Sequence, residues 1–216
     1  MEGLPAAAAH PGRGKCYMLK NNGEKEDMMK NVWIIIGVIA LVVLIIGGWL
    51  IGGLNHVVQL DEAVNSSWAQ VENQLQRRND LIPNLVSTVK GYAGHEKTLL
   101  TEVTQLRSQW STAQTRQEKI DTANQMTEAL SRLLLIAENY PDLKANQNFL
   151  ALQAQLEGTE NRIAVERMRY NDAVKAFNAY RRTVFGSMFA SMRGLTQPRE
   201  YFEAAEGAAE VPQVKF

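Results

Sequence analysis

Histidine and cysteine, which often bind metals or take part in catalysis, are scarce in this chain of 216 residues. Its three histidines, His10, His56 and His95, lie too far apart to predict a compact metal cluster. Its single cysteine, Cys16, excludes an intramolecular disulfide framework and any cysteine-rich zinc or iron–sulfur site. We therefore expect no metal and no other cofactor.

The remaining patterns of catalytic residues are incomplete. Glu157 and Glu160 are one helical turn apart, but no Glu-x-x-His partner completes the pattern of a di-iron bundle. His95 precedes Glu96 at a predicted helix start, where a lone histidine is more often a surface or capping residue than a general base. No serine or cysteine stands in a nucleophile motif, and no glycine-rich phosphate loop follows a strand. We expect no enzyme.

The charge balance excludes another class of function. The chain has 23 Lys and Arg against 23 Asp and Glu, and its pI is near 6.9. A protein dedicated to nucleic acid carries a cationic excess that neutralises phosphates. We therefore expect no nucleic-acid partner.

An uncharged run of 23 residues at 32–54, VWIIIGVIALVVLIIGGWLIGGL, predicts a transmembrane helix. About 20 apolar residues in a helix span a hydrocarbon core of about 30 Å. Trp33 and Trp49 lie near its ends, where aromatic residues mark membrane interfaces. The alternative, a cleaved signal peptide, has an apolar core of only about 7–15 residues. We assign residues 29–54 to a membrane anchor that contacts lipid.

The flanking charges predict the orientation of this anchor. Five cationic residues precede the run, whereas the first one after it is Arg77. Since cationic flanks stay inside, we expect a cytoplasmic N-terminus and a domain on the opposite side. Gly48 and Gly52 have the spacing that lets membrane helices pack closely, so a homo-oligomer held together by its anchors is an open alternative to a monomer.

The two ends of the chain lack periodicity. Residues 1–28 contain scattered Gly and Pro and predict a disordered leader, and we expect translation to begin at Met28 or Met29. Residues 194–216 are acidic and rich in Ala and Gly, which predicts a flexible tail.

Between these ends, apolar residues recur at steps of three and four, the pattern of amphipathic helices. Four such stripes predict an all-α fold, an elongated antiparallel up-and-down four-helix bundle over residues 55–193. If the outer two helices run antiparallel, Arg78 lies opposite Ile163, and Val57 lies near Val184. The stripes are Val57, Leu60, Val64, Trp68, Val71, Leu75, Ile82, Leu85, Val89 and Tyr92; Leu99, Val103, Leu106, Trp110 and Ala113; Ile120, Ala123, Met126, Leu130, Leu133, Leu134 and Ala137; and Phe149, Leu152, Leu156, Ile163, Tyr170, Val174, Phe177 and Val184.

Two prolines mark a kink and a boundary. Pro83 falls inside the first stripe, where it should kink or restart the helix and leaves the Asn79 carbonyl without its helical donor, and nearby polar side chains or water can compensate. Pro141 closes the third helix, and Asp142 is a candidate N-cap for the next one.

Arg78 occupies a position of the first stripe that should be apolar. A buried guanidinium needs a partner because desolvating it alone costs several kcal/mol. We predict an ion pair between Arg78 and either Glu160 or Glu166. The alternative is that Arg78 extends along the helix to solvent.

The end of the last stripe combines cations with apolar residues, the composition of a segment at an anionic membrane surface. We predict a membrane interface formed by Arg181, Arg182, Phe185, Phe189 and Arg193. The alternative is that Phe185 and Phe189 cap the core of the bundle.

Several separated segments resemble the LemA family. They are QLQRRNDLIPNLV at 74–86, YPDLKANQNF at 140–149, RYNDAV at 169–174, YFE at 201–203 and VPQVKF at 211–216. The resemblance covers about residues 29–216. It implies a bacterial single-pass membrane protein with a helical bundle, and it implies no activity. We expect the anchor to lie in the inner membrane of a bacterial cell.

Together these features predict a membrane-anchored helical scaffold or adaptor of the cell envelope that acts through contacts with protein partners as yet unknown. A lipid-binding or membrane-organising module is the first alternative. The second is a small-ligand sensor, which would need a pocket lined by the asparagines of the last helix, Asn146, Asn148, Asn161, Asn171 and Asn178.

Overall fold

The computed structural model describes the chain from residue 14 to residue 203, and its side chains from residue 28. All regular elements in this range are helices, which confirms the all-α class. They are α1 (Gly14–Tyr92), α2 (Lys97–Thr112), α3 (Arg116–Ala137), α4 (Pro141–Lys144), α5 (Gln147–Arg181) and α6 (Val184–Met192).

The chain divides into two compact units, Met1–Gly53 and Leu54–Phe216. In the first unit α1 contains a window of 18 residues with a mean hydropathy of 3.1, and none of that window is buried. By length and composition, this segment can cross a membrane. Apart from Leu50, which is partly buried, its large apolar side chains from Trp33 to Ile51 are about half exposed or more.

The helix begins earlier than the sequence predicts. α1 starts at Gly14, inside the stretch 1–28 expected to be disordered, so that prediction is wrong over residues 14–28. After Pro11 no proline interrupts the chain before the anchor, and helix-forming Lys, Glu, Leu and Met residues join it directly. Residues 1–13 of the predicted leader lie outside the described residues.

In the second unit α1, α2, α3 and α5 form the bundle. α1 and α5 run antiparallel, because Trp68 contacts Tyr170 with ring centroids 5.4 Å apart, while Tyr92 Oη accepts a hydrogen bond from Asn146 Nδ2 at 2.9 Å. Arg78 lies opposite Glu160 rather than Ile163. The expected register is therefore shifted by about one helical turn, since apolar periodicity fixes a helix face but not its axial position.

A polar layer divides the core of the bundle. On one side, a contiguous apolar cluster extends from Ile82 and Leu85 of α1 to Phe149 and Leu156 of α5. The buried residues Arg78, Asn79 and Thr159 form the layer. On the other side are the buried apolar residues nearer residue 54, namely Val57, Val64, Trp68, Val71, Leu75, Ile163, Tyr170, Val174 and Phe177.

The helix starts follow local sequence signals. Thr115 caps α3 in a capping box, in which its side chain accepts from the Glu118 N–H and the Glu118 carboxylate accepts from the Thr115 N–H. The Glu118 carboxylate also accepts from the Gln114 N–H. The hydrogen bonds from Gln114, which has the larger effect, and from Thr115 lower the pKa of Glu118. Asn146, and not Asp142, caps α5 and accepts from the N–H groups of Asn148 and Phe149.

The last predicted helix is in fact two helices. α5 ends at Arg181, and Thr183 caps α6 by accepting a hydrogen bond from the Gly186 N–H at 3.0 Å. Gly186 packs against α5 so closely that an added Cβ would lie 2.0 Å from the Tyr180 carbonyl oxygen. The absence of a side chain at Gly186 therefore sets where α6 lies on the bundle.

We expect Gly186→Ala to destabilise the protein by about 1–3 kcal/mol, since relief of the clash must shift the backbone of α5 or α6. Thermal unfolding of the purified chain measures this change. The matched control is Gly158→Ala in α5, where nothing lies within 4 Å of an added Cβ. That control should stabilise by about 0.5–1 kcal/mol, the usual gain over glycine inside a helix. Equal effects of the two substitutions would contradict the close packing at Gly186.

Candidate functional site

The buried guanidinium of Arg78 lies at the centre of the polar layer and is 2% exposed. Its Nη1 donates to Glu160 Oε1 at 2.7 Å and to Thr127 Oγ1 at 2.8 Å. Its Nη2 donates to the Ala123 carbonyl oxygen at 3.0 Å. One side chain thus joins α1, α3 and α5, which suits a residue that fixes the alignment of helices rather than one that acts on a substrate.

The structure brings Arg78 together with Glu160 and not with Glu166, which pairs with Arg169 one turn away at 2.7 Å. Glu160 is about one third exposed, so water reaches the carboxylate but not the guanidinium. Arg78 does not extend to solvent, the alternative that the sequence left open, because its side chain is buried.

Pro83 lies inside the continuous helix α1, and a side chain replaces the N–H that it lacks. The Asn79 carbonyl oxygen, four residues earlier, accepts a hydrogen bond from Arg107 Nε of α2 at 3.2 Å. The polar compensation that the sequence requires is therefore supplied by a neighbouring helix. Pro141 is the first residue of the short helix α4, where a missing N–H costs nothing.

Residues 194–203, here called the strap, pack on the bundle. Gly194, at a φ of 72°, turns the chain out of α6, and the following residues run without regular structure across α5. The flexible tail predicted for residues 194–216 is therefore wrong over 194–203, and residues 204–216 lie outside the described residues. The sequence does not reveal this packing, because the strap is held by hydrogen bonds to its backbone, and such bonds leave no periodic pattern in the sequence.

Two asparagines of α5 hold the strap by its main chain. Asn178 donates to the Arg199 carbonyl oxygen at 2.8 Å and accepts from the Arg199 N–H at 2.9 Å. Asn171 makes the same pair of bonds with Phe202, at 3.0 and 2.8 Å. Seven helical residues advance about 10.5 Å, close to three residues of extended chain. The two asparagines are therefore spaced to bind every third residue of an extended segment.

Further side chains bind the carbonyl groups of the strap. Arg181 donates to Thr196 and Tyr170 to Glu200, both at 2.7 Å. Asn124 of α3 and Arg167 of α5 both donate to the Glu203 carbonyl oxygen, at 3.1 and 3.2 Å. At Arg199 the guanidinium also pairs with Asp61 of α1, with a distance of 2.9 Å from Nε to Oδ1. The strap thus contacts α1, α3 and α5.

Phe202 anchors the strap in an aromatic pocket and is 2% exposed. Its ring centroid lies 6.4 Å from that of Trp68, and the Arg167 guanidinium lies 4.2 Å above its ring. Burial lowers the pKa of Arg167, although Glu160 opposes this shift. Burial likewise raises the pKa of Tyr170, opposed by the nearby Arg116, so its hydroxyl stays a donor to the strap at neutral pH.

An open groove of about 820 Å³ lies between α3 and the strap, and we call it the strap groove. Its acidic lining residues are Asp121, Glu200 and Glu203, whereas Arg199, the cation in its lining, is paired with Asp61. Its other polar lining residues include Gln117, Asn124 and Gln125. Such an acidic surface rich in amides favours contact with a basic segment of a protein.

The five residues of the predicted membrane interface divide into two groups. Phe189 is buried, and Arg181 is partly buried and donates to the Thr196 carbonyl oxygen of the strap. Arg182, Phe185 and Arg193 are exposed. The prediction fails at Phe189 because the new helix start at Val184 turns that side chain toward the bundle.

The five candidate ligand asparagines are spread along the bundle and do not line one common pocket. Asn171 and Asn178 bind the strap, Asn146 caps α5, and Asn148 and Asn161 are exposed. Within the part of the chain that the structure describes, no three His, Cys, Asp or Glu side chains come together as metal ligands. His56 packs edge-on against the Tyr180 ring, with centroids 4.7 Å apart.

Comparison with known proteins assigns this chain to a family. The sequence model of the LemA family matches residues 67–216, well over half of the chain and the part that includes the polar layer and the strap. The chain belongs to the LemA family. It is also similar to Protein LemA of Metamycoplasma hominis, with 22% identity over 130 residues. That alignment covers 60% of this chain and 59% of its relative, so the chain spans about three fifths of the curated relative it matches.

Membership of the LemA family, together with the apolar segment of α1, identifies a membrane-associated helical protein. The match begins at residue 67, so it includes Arg78, Pro83, Pro141 and the asparagines that bind the strap. The residues that sequence reasoning missed, Phe202 and the two asparagines as strap ligands, all lie within it.

Proposed function

We propose that this LemA family member is a membrane-anchored adaptor that acts through protein–protein contacts and carries no catalytic chemistry. We further propose that its anchor lies in the inner membrane of a bacterium, with a cytoplasmic N-terminus and an extracytoplasmic bundle. The cationic residues before the apolar run support this orientation.

The strap groove is the observation that carries the adaptor proposal. A groove lined by acids and amides, and bounded on one side by an extended segment, can accept a second extended segment beside the first. Glu200 and Glu203 of the strap and Asp121 of α3 would attract a cationic partner. The expected partner is therefore an envelope protein with a basic, extended segment.

Site-specific photo-crosslinking in intact cells tests this proposal. With a photoreactive residue in place of Gln125, which lines the strap groove, we expect an adduct with one partner of constant mass. Gln109 of α2, an exposed glutamine outside the groove, is the matched control and should give no such adduct. Mass spectrometry then identifies the captured protein.

Charge reversal distinguishes a specific contact from chance proximity. Asp121→Lys should abolish the adduct at Gln125, because it places a cation where a cationic partner binds. The same reversal at the exposed Asp80, outside the groove, should leave the adduct unchanged. Equal adducts at Gln125 and Gln109, no adduct, or capture of only a second copy of this chain would contradict the adaptor proposal.

A further inference from the structure

α6 has apolar residues on two opposite faces. Its inner face, formed by Gly186, Phe189 and Ala190, is buried against the bundle. Its outer face carries four large apolar side chains that are 39–82% exposed: Val184, Phe185, Met188 and Met192. A helix that is apolar all round normally has both faces covered. A contiguous exposed apolar patch such as this outer face indicates a contact site.

The position of α6 in the bundle indicates what covers the outer face. Tyr180, four residues before α6, packs against His56 with ring centroids 4.7 Å apart. His56 follows Leu54, the last residue of the uncharged apolar run, by two positions in the chain. At about 1.5 Å per helical residue, His56 lies within a few ångströms of the end of that run. The start of α6 therefore lies at the end of the second unit where its chain begins, next to residues 54–56.

The charges around α6 point to an anionic surface. Arg182 precedes the helix and Arg193 follows it, and both are exposed. The helix itself contains no acidic residue. Asp61 of α1 is paired with Arg199. Exposed arginines beside an apolar helix face are the composition of interfacial helices that bind anionic phospholipid.

We propose that α6 is a membrane-docking helix, whose outer face enters the interfacial region of an anionic bilayer while Arg182 and Arg193 contact lipid phosphates. Phe185 and the two methionines supply apolar surface, and the arginines supply the preference for anionic lipid. This docking is independent of the strap groove, and it would give the bundle a second attachment to the bilayer besides α1.

Lipid-dependent quenching of a fluorophore on the full chain tests the docking. A Cys16→Ser chain carrying Met192→Cys and an environment-sensitive label is reconstituted in vesicles of phosphatidylcholine and phosphatidylglycerol that contain brominated acyl chains. We expect the label to shift to shorter wavelength and to lose intensity. The same label at Leu135, an exposed apolar residue of α3 near the opposite end of the bundle, is the matched control and should show neither change.

The charge dependence is tested in the same vesicles. Each of Arg182→Gln and Arg193→Gln should lower the ratio of docked to undocked chains about fivefold, the effect of about 1 kcal/mol per arginine near an anionic surface. Arg162→Gln, at an exposed position inside α5, should leave that ratio unchanged. Equal quenching at Met192 and Leu135, or quenching that the two arginine variants do not change, would overturn the proposal. A label at Met192 that responds only to added protein would assign the outer face to a protein partner instead.

Discussion

Removal of the carboxylate that pairs with the buried arginine should cost this protein a large part of its stability. We expect Glu160→Ala to lower the free energy of unfolding by about 3 kcal/mol, because it leaves the Arg78 guanidinium buried without an opposite charge. The value lies at the lower end of the range for buried pairs, since Glu160 is about one third exposed. In a domain of this size, the midpoint of thermal unfolding should fall by about 6–12 °C.

A second substitution separates loss of the pair from loss of contacts. Arg78→Met combined with Glu160→Ala removes both charges, and it should recover much of the lost stability because an apolar side chain then fills the buried volume. Arg77→Met is the matched control at the neighbouring exposed position and should change stability by no more than about 0.5 kcal/mol. If the double variant were as unstable as Glu160→Ala alone, the buried charge would not be the cause.

Truncation of the strap anchor is the second large effect. We expect Phe202→Ala to destabilise by about 3 kcal/mol, since it empties an aromatic pocket in which the side chain is 2% exposed. If only the strap detaches, the loss will appear as local opening rather than global unfolding. Limited proteolysis between residues 194 and 203 therefore accompanies thermal unfolding as a measurement, and cleavage there should become much faster.

The neighbouring residue provides the control for this substitution. Tyr201 is 40% exposed, and Tyr201→Ala should leave both thermal unfolding and cleavage nearly unchanged. Unchanged unfolding and unchanged cleavage in Phe202→Ala would contradict an anchored strap. A similar response at Tyr201 and Phe202 would mean that the aromatic pocket contributes nothing specific.

The sequence predicts the helices well because burial of one face imposes a strong period. The stripes locate the four helices of the bundle, and Pro83 implies that the Asn79 carbonyl loses its helical donor, which Arg107 replaces. The pairing of Arg78 with a carboxylate follows from the cost of burying a lone charge. Each of these inferences rests on a requirement that a single residue or a single helix face must satisfy.

The relative placement of the helices is harder to predict, because it depends on contacts between distant parts of the chain. The axial shift of α5 along α1 selects Glu160 over Glu166, and no periodicity encodes that shift. The break before α6 similarly buries Phe189 and leaves Phe185 exposed. Thr183 and Gly186 are its sequence signals, but the close approach that needs Gly186 is visible only once both helices are placed.

The strap escapes prediction for a different reason, since the bundle binds it mostly through the strap's own main-chain groups. Asn171 and Asn178 would bind the same backbone atoms if many other side chains stood at positions 199 and 202. Polar residues on a helix read equally well as a solvated surface, so the asparagines alone give no signal. Arg199 and Phe202 also make specific side-chain contacts, with Asp61 and with the aromatic pocket, but one cation and one aromatic residue in a polar tail predict little.

Holding the strap by its backbone has a consequence for how this segment can diverge. Most of its side chains can be exchanged without loss of a contact, whereas insertion or deletion of one residue between positions 199 and 202 would place at least one asparagine out of step. Straps of related proteins should therefore be recognised by the spacing of residues before the buried aromatic residue that corresponds to Phe202, and not by sequence identity.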